Sequence, residues 1–98
     1  MTINKNLNGK TLTLQIVGRL ETTTAPVLEE VIDTSLTGVE ELVMDMGELE
    51  YVSSAGLRVI LKAQKLMNTQ GEMKLIHVNE SIMEVFDITG FVDILTIE

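Results

Sequence analysis

The chain has 98 residues, the size of one domain, and about two thirds of the unfolded surface of such a chain is buried on folding. It contains no cysteine, which excludes disulfide bonds, thiolate metal sites and thiol nucleophiles and suits a reducing compartment. The formal net charge of -8 would repel a phosphate backbone, so we expect no direct binding of nucleic acid. No apolar run reaches the roughly 20 residues that cross a bilayer, so we expect a cytoplasmic protein without membrane insertion.

The charges are unevenly distributed. The segment from Thr22 to Leu57 contains no lysine or arginine, but it holds Glu29, Glu30, Asp33, Glu40, Glu41, Asp45, Glu48 and Glu50. Such a segment can steer a basic protein surface, or its carboxylates can simply solvate loops and helix faces. Both interpretations remain open from the sequence.

The N-terminal third predicts a hairpin followed by a helix. Apolar residues alternate with polar ones over Ile3 to Leu7 and over Leu12 to Ile16, and Asn8-Gly9 between them is typical of a type I′ turn. Gly18 is expected to end the second strand. The hydroxyls of Thr22-Thr23-Thr24 are expected to cap an amphipathic helix that has Pro26 in its first turn.

The remaining pattern alternates strands and helices. Leu42 to Met44 predicts a buried strand that ends in Asp45, Gly47 to Tyr51 a loop, and Ala55 to Met67 a helix capped by Ser53 and Ser54. Further on come a strand from Met73 to Val78, a third helix with a Ser81/Glu84 capping box, and a last strand within Phe91 to Ile97.

The resulting order is β-β-α-β-α-β-α-β. It predicts one α/β domain over residues 1–98, with helices packed on a mixed, mostly parallel sheet of about five strands.

The segment from Val52 to Leu57, at the start of the second helix, is the strongest candidate for a functional site. A helix N-terminus has backbone N–H groups without intrahelical partners and about half a positive charge. Ala55 and Gly56 are small and are expected to leave this end open to close approach. Ser53 and Ser54 therefore fit three roles: helix caps, a phosphorylation site, or ligands of a bound anion.

A family resemblance favours one of these roles. The segments Leu42 to Met46 and Leu49 to Leu61, with Ser53-Ser54-Ala55-Gly56-Leu57 at their centre, resemble the STAS domain family of anti-sigma factor antagonists. Val17 to Ala25 is similar to the family's Gly-x-Leu-Asp…Ala signature, with Glu21 in place of Asp. Val85 to Phe91 is similar to its Leu-Phe-x-x-x-Gly-Leu stretch.

The resemblance implies a phosphorylation switch. Ser54 stands at the family's phosphoacceptor position and Ser53 at the position of its aspartate, so Ser53 is the alternative acceptor. The unphosphorylated protein is expected to bind an anti-sigma factor that is a serine kinase and thereby free a sigma factor. Phosphorylation would end this contact, and a serine phosphatase would restore it.

The expected partner face comprises two loops and one side of the second helix. Lys62 and Arg58 are equally compatible with plain surface charge, and Asp45 is expected near the phosphorylated serine. The predicted partner-binding residues are Leu20, Glu21, Thr22, Thr23, Tyr51, Ser53, Ser54, Ala55, Gly56, Arg58 and Lys62.

Other functions have less support in the sequence. We expect no enzyme, cofactor or metal, because His77 is the only histidine and no Gly-x-x-x-x-Gly-Lys loop occurs. Nucleotide binding without turnover, at the start of the second helix, remains an alternative function. Another alternative is a constitutive binding subunit of a transporter, of a lipid-transport complex or of a stress-signalling scaffold. The oligomeric state is left open between a monomer and a weak dimer.

Overall fold

The computed structural model describes residues 1–98 and confirms the α/β fold class. A five-stranded mixed sheet is combined with three α-helices and one short 3-10 turn. The elements in chain order are β1 Thr2–Asn8, β2 Thr11–Leu20, α1 Ala25–Ser35, β3 Glu41–Asp45, β4 Leu49–Val52, α2 Ser54–Asn68, β5 Glu72–Ile76, α3 Glu80–Thr89 and the turn Phe91–Asp93.

The long strand β2 organises the sheet. It pairs with β1 in the antiparallel direction, and its first half pairs in parallel with β3, which in turn pairs with β5. Its second half pairs in parallel with β4, after a register shift between Gly18 and Arg19. Gly18, with φ +102°, therefore lies at a bulge inside β2 and does not end the strand as expected.

The hairpin turn differs from the expected one by one residue. Asn8 is the last residue of β1 and pairs with Thr11, so Gly9 and Lys10 form the two-residue loop. Only Gly9 has a positive φ (+65°), which is the pattern of a type II′ rather than a type I′ turn.

All three helices contribute to one hydrophobic core, which lies on a single face of the sheet. On β2 that face carries Leu12, Leu14 and Ile16, all buried, whereas the alternate residues Thr13 and Gln15 stay partly exposed. The buried residues of the helices, such as Leu28, Ile60 and Phe86, belong to the same core cluster. No helix packs on the other face of the sheet.

Three further expectations are wrong. Leu49–Val52 is strand β4 and not part of a loop, because it continues along the far half of β2. The expected last strand is mostly a turn, from which only Ile97 forms a β-bridge, to Leu75. The cap of α3 is Asn79, whose side chain accepts from Ile82 N–H at 2.9 Å, and not Ser81 with Glu84.

None of the helices combines the length and the apolar character needed to cross a membrane.

Candidate functional site

The two adjacent serines occupy different positions at the start of α2. Ser53 is the N-cap: its backbone N–H donates to the Leu20 carbonyl at 2.9 Å, and its carbonyl accepts from Leu57 N–H at 2.9 Å. Its hydroxyl accepts a long hydrogen bond, 3.5 Å, from Gly56 N–H. Ser54 is the first helical residue and is exposed, and its hydroxyl has no hydrogen-bond partner in the chain. The structure thus separates a capping serine from a free one.

The electrostatics at this helix end favour a negative group. Ser54 and Ala55 lie in the first turn, where backbone N–H groups have no intrahelical acceptor. The α2 helix has 15 residues and no acidic residue in its first turn, so its N-terminal partial positive charge is not neutralised from within the helix. A phosphate on Ser54 would lie at this end.

Two residues expected to touch a partner lie beneath the surface. Leu20 is fully buried (0% exposed), and Gly56 is buried against it: a Cβ on Gly56 would stand 2.6 Å from Leu20 Cγ and 3.0 Å from Leu20 O. The expectation that Gly56 opens the helix start to approach from outside is therefore wrong. Glycine at this position lets α2 pack closely on the end of β2, so Leu20 and Gly56 support the surface rather than form it.

The loop after β2 carries exposed hydroxyls. Thr22 and Thr23, two of the predicted contact residues, are exposed. Thr24 precedes α1 but does not cap it through its side chain. Its hydroxyl instead accepts from Glu21 N–H at 2.8 Å and donates to the Arg19 carbonyl at 2.7 Å. These bonds fix the turn that begins at Glu21, directly after β2.

A charged and aromatic cluster next to this loop includes a residue that was not predicted. Arg19 donates from Nε to Glu21 Oε2 at 3.1 Å, and its Cζ lies 4.4 Å from the centre of the Tyr51 ring. The two residues are neighbours because Arg19 pairs with Tyr51 across β2 and β4. Because the sequence predicted a loop over residues 47–51, it did not predict this pairing, and Arg19 was not identified as part of the site. The cation stabilises the position of the exposed Tyr51 ring at the end of β4.

The two predicted cations on the exposed side of α2 differ in their contacts. Arg58, one turn after Ser54, is exposed and makes no ion pair. Lys62 is already engaged: its Nζ lies 3.0 Å from Glu29 Oε2 and 2.8 Å from Asp33 Oδ1, so it links α2 to α1. These two carboxylates raise the pKa of Lys62 above its ordinary value. Arg58 and Lys62 line a groove of ≈ 330 Å³ between the helices, together with Thr22 and Ala55.

Asp45 does not lie near Ser54, contrary to expectation. It pairs with Gln15, whereas Val52 pairs with Leu20, and the five residue steps from Gln15 to Leu20 span about 16 Å of strand.

Asp45 instead serves the turn after β3. Its Oδ1 accepts from Gly47 N–H and contacts His77 Nδ1, each at 3.0 Å. Burial alone would raise the pKa of Asp45, but the bonds from Gly47 and His77 outweigh it and lower the pKa below its ordinary value. His77 adopts a left-handed backbone conformation, φ +59°, beside this carboxylate.

The site therefore offers an exposed hydroxyl at a positive helix end, bordered by Glu21, Thr22, Tyr51 and Arg58. No acidic or histidine side chain is hydrogen-bonded to the Ser54 hydroxyl to activate it, and the chain holds no cluster of three or more His, Asp or Glu residues able to bind a metal ion. The arrangement suits modification and contact.

The comparisons with known proteins agree on one family. The model of the STAS domain matches residues 2–98. The anti-sigma-B factor antagonist of Bacillus subtilis is 31% identical over 100 residues, covering 99% of this chain and 92% of that protein. BtrV of Bordetella bronchiseptica, named as an anti-sigma factor antagonist, is 44% identical over 61 residues, but the match spans only 53% of its length.

A solved structure shows the same fold. The Bacillus cell fate determinant SpoIIAA in its phosphorylated form superposes with a TM-score of 0.77 at 15% identity, covering 99% of this chain and 91% of that one.

Proposed function

The chain belongs to the STAS domain family, and on this basis we propose that it is an anti-sigma factor antagonist whose contact with its partner is switched by phosphorylation of Ser54. The partner we propose is an anti-sigma factor that is itself a serine kinase. Binding of the unphosphorylated chain would release a sigma factor, and a serine phosphatase would return the phosphorylated chain to the binding form.

The observation that carries this proposal is the exposed, unpartnered Ser54 hydroxyl at the first position of α2. A kinase must bring the γ-phosphate of ATP in line with this oxygen, which requires a hydroxyl that no other residue in the chain holds. The relatives named as antagonists and a phosphorylated protein of the same fold support the same conclusion.

Ser54 is a better acceptor than Ser53 for a structural reason. The Ser53 hydroxyl faces Gly56 N–H, and its backbone joins α2 to the carbonyl of Leu20. A phosphate on Ser53 would have to replace a cap and would disturb this junction, whereas a phosphate on Ser54 leaves both bonds in place. We therefore propose that modification at Ser54 changes the surface and preserves the fold.

The physical effect of the switch is electrostatic. A phosphoserine adds about -1.5 to -2 charges at neutral pH. The helix end tolerates this charge, and Arg58 is one turn away with no competing ion pair. A partner that packs over Ser54 must desolvate or repel the new charge, with Glu21 contributing a like charge from the neighbouring loop. Binding is thus lost at the interface and not through unfolding.

The test compares native complexes recovered from cells that express Ser54→Ala or Ser54→Asp. Ser81 provides a matched control, because it is an exposed serine in the first turn of α3. We expect Ser54→Ala to retain a protein with a kinase sequence and Ser54→Asp to lose it, whereas Ser81→Ala and Ser81→Asp both behave like the unaltered chain.

A second measurement addresses the modification itself. Incubation with the recovered kinase and ATP should add one phosphate at Ser54 by mass spectrometry, and none to Ser54→Ala. Equal retention of one partner by both Ser54 variants would refute the switch and favour a constitutive binding subunit of a transporter, lipid-transport or stress-signalling complex.

A further inference from the structure

A polar notch lies at the opposite end of α2 from Ser54. It has a volume of ≈ 250 Å³ and lies beside the sheet edge formed by β5, between the C-terminal half of α2 and the last residues of the chain. Of its nine lining residues only Met73 is apolar. Gln64 and Asn68 line it from α2, and Lys74 lines it from β5. Nothing in the proposed phosphorylation switch uses this notch.

Gln64 is the feature of this notch that points to a ligand. It is the only polar or charged residue of the chain that is buried, with 7% of its surface exposed. Its Nε2 donates to Asn68 Oδ1 at 2.9 Å, but its Oε1 is the only buried side-chain nitrogen or oxygen without a hydrogen-bond partner. An unsatisfied buried acceptor is unfavourable by about 1–3 kcal/mol, so this oxygen favours a hydrogen-bond donor from outside the chain.

The charge around the notch specifies what kind of donor it favours. Glu41, Glu72 and Glu98 line the notch, and Lys74 is the only cation among its residues. The Lys74 Nζ lies 3.9 Å from both Glu41 and Glu98, which is longer than a hydrogen bond. The carboxylates are therefore only loosely neutralised, and the local field attracts a second positive charge.

We propose that this notch binds a small organic cation that carries N–H donors, of the class of the short aliphatic amines. One ammonium N–H would donate to Gln64 Oε1, and the carboxylates that line the notch would attract the positive charge. The volume is below that of sites for drug-sized ligands, which begin at about 300 Å³, and it suits a ligand with few heavy atoms. The ten residues from Ser54 to Gln64 place the notch about 15 Å along the helix from the phosphorylation site.

The experiment titrates the purified chain with putrescine and follows the side-chain amide signals of Gln64 and Asn68 by nitrogen–proton correlation NMR. Two probes at equal concentration separate the components of recognition: tetramethylammonium keeps the charge but has no N–H donor, and butanediol keeps the length but has no charge. Ionic strength is held constant.

We expect saturable shifts of both amides with putrescine alone. Gln64→Met, which removes the acceptor while keeping similar volume, should weaken putrescine binding by about tenfold or more. Gln15→Met makes the same change on β2, which does not line the notch, and should leave binding unchanged. Glu72→Gln, an exposed change that leaves the core intact, should also weaken binding.

Three results would each overturn the proposal. Equal shifts with putrescine and tetramethylammonium would indicate general attraction of cations to an acidic protein. Undiminished putrescine binding by Gln64→Met would place the amine elsewhere. The absence of any saturable shift would mean that water alone satisfies Gln64.

Discussion

Gly56→Ala is the change whose effect can be worked out most directly from the structure. A methyl group at this position would meet Leu20 Cγ at 2.6 Å, and Leu20 Cδ2 and O at 3.0 Å each. Leu20 is fully buried in the core, so a shift of its side chain disturbs the packing around it, and its carbonyl is held by Ser53 N–H at 2.9 Å. Both the side chain and the backbone of β2 therefore resist the new methyl group.

The magnitude follows from two opposing effects. Overpacking a core destabilises by about 1–3 kcal/mol, and two resisting groups place Gly56→Ala in the upper part of this range. Alanine favours a helix over glycine by up to about 1 kcal/mol, which offsets part of the loss. We expect a net decrease of about 1–2 kcal/mol in the free energy of unfolding. For a chain of this size, each kcal/mol lowers the melting temperature by roughly 4–8 °C.

Urea unfolding followed by circular dichroism measures this quantity. A double-mutant cycle with Leu20→Ala identifies the cause, since removal of the Leu20 side chain should relieve most of the effect of Gly56→Ala and give a coupling of about 1 kcal/mol or more. A Gly56→Ala variant as stable as the unaltered chain would refute the reasoning. Equal effects of Gly56→Ala with and without Leu20 would assign the strain to the backbone carbonyl instead.

Three further outcomes are expected. Lys62→Met should lower the melting temperature, because it breaks the link from α2 to Glu29 and Asp33, and the loss should shrink in high salt if charge is the cause. Because the pKa of Asp45 is lowered in the folded state, its contribution is complete above about pH 4 and is lost as pH falls through the lowered pKa. Asp45→Asn should therefore flatten the acid limb of stability measured against pH, and an unchanged limb would contradict this. Asn79→Ala should lower the free energy of unfolding in urea by about 1 kcal/mol, whereas Ser81→Ala should have almost no effect. A larger loss with Ser81→Ala than with Asn79→Ala would instead support the capping box predicted from the sequence.

Local patterns in the sequence were sufficient to predict most of the fold. The alternation in β2 and the helical spacing in α2 are set by the face that each element buries, so they can be interpreted without knowledge of the partners. The boundaries of α2 were accordingly predicted to within one residue, Ala55 to Met67 against Ser54–Asn68.

The missed elements depend on contacts between distant residues. Leu49–Val52 shows only two buried residues, at its ends, and becomes a strand because the second half of β2 is free to pair with it. After Gly90, the residues that follow are apolar enough for a strand. The carbonyl of Phe91 instead accepts from Ile94 and Leu95 N–H, each at 2.9 Å, so local bonds replace pairing with the sheet.

The same reason explains the errors at the candidate site. Asp45 was expected near Ser54 because it ends the strand predicted to precede the helix of Ser54, but β3 and β4 end at different points along β2. The burial of Gly56 depends on Leu20, which is distant in sequence and close in space. Ser54 itself was predicted from its family motif and from its position at a helix start, both of which are local features.

The single packed face of the sheet bears on how this fold can change over time. On β2 only every second residue has to stay apolar to hold the core. Thr13 and Gln15, on the other side, do not belong to the core that the helices cover. Half of the strand positions can therefore vary without disturbing the packing. This freedom is one physical reason why a chain with 15% identity can still superpose at a TM-score of 0.77 over 99% of this protein. Architecture is kept by a minority of residues, and the remainder are available for divergence.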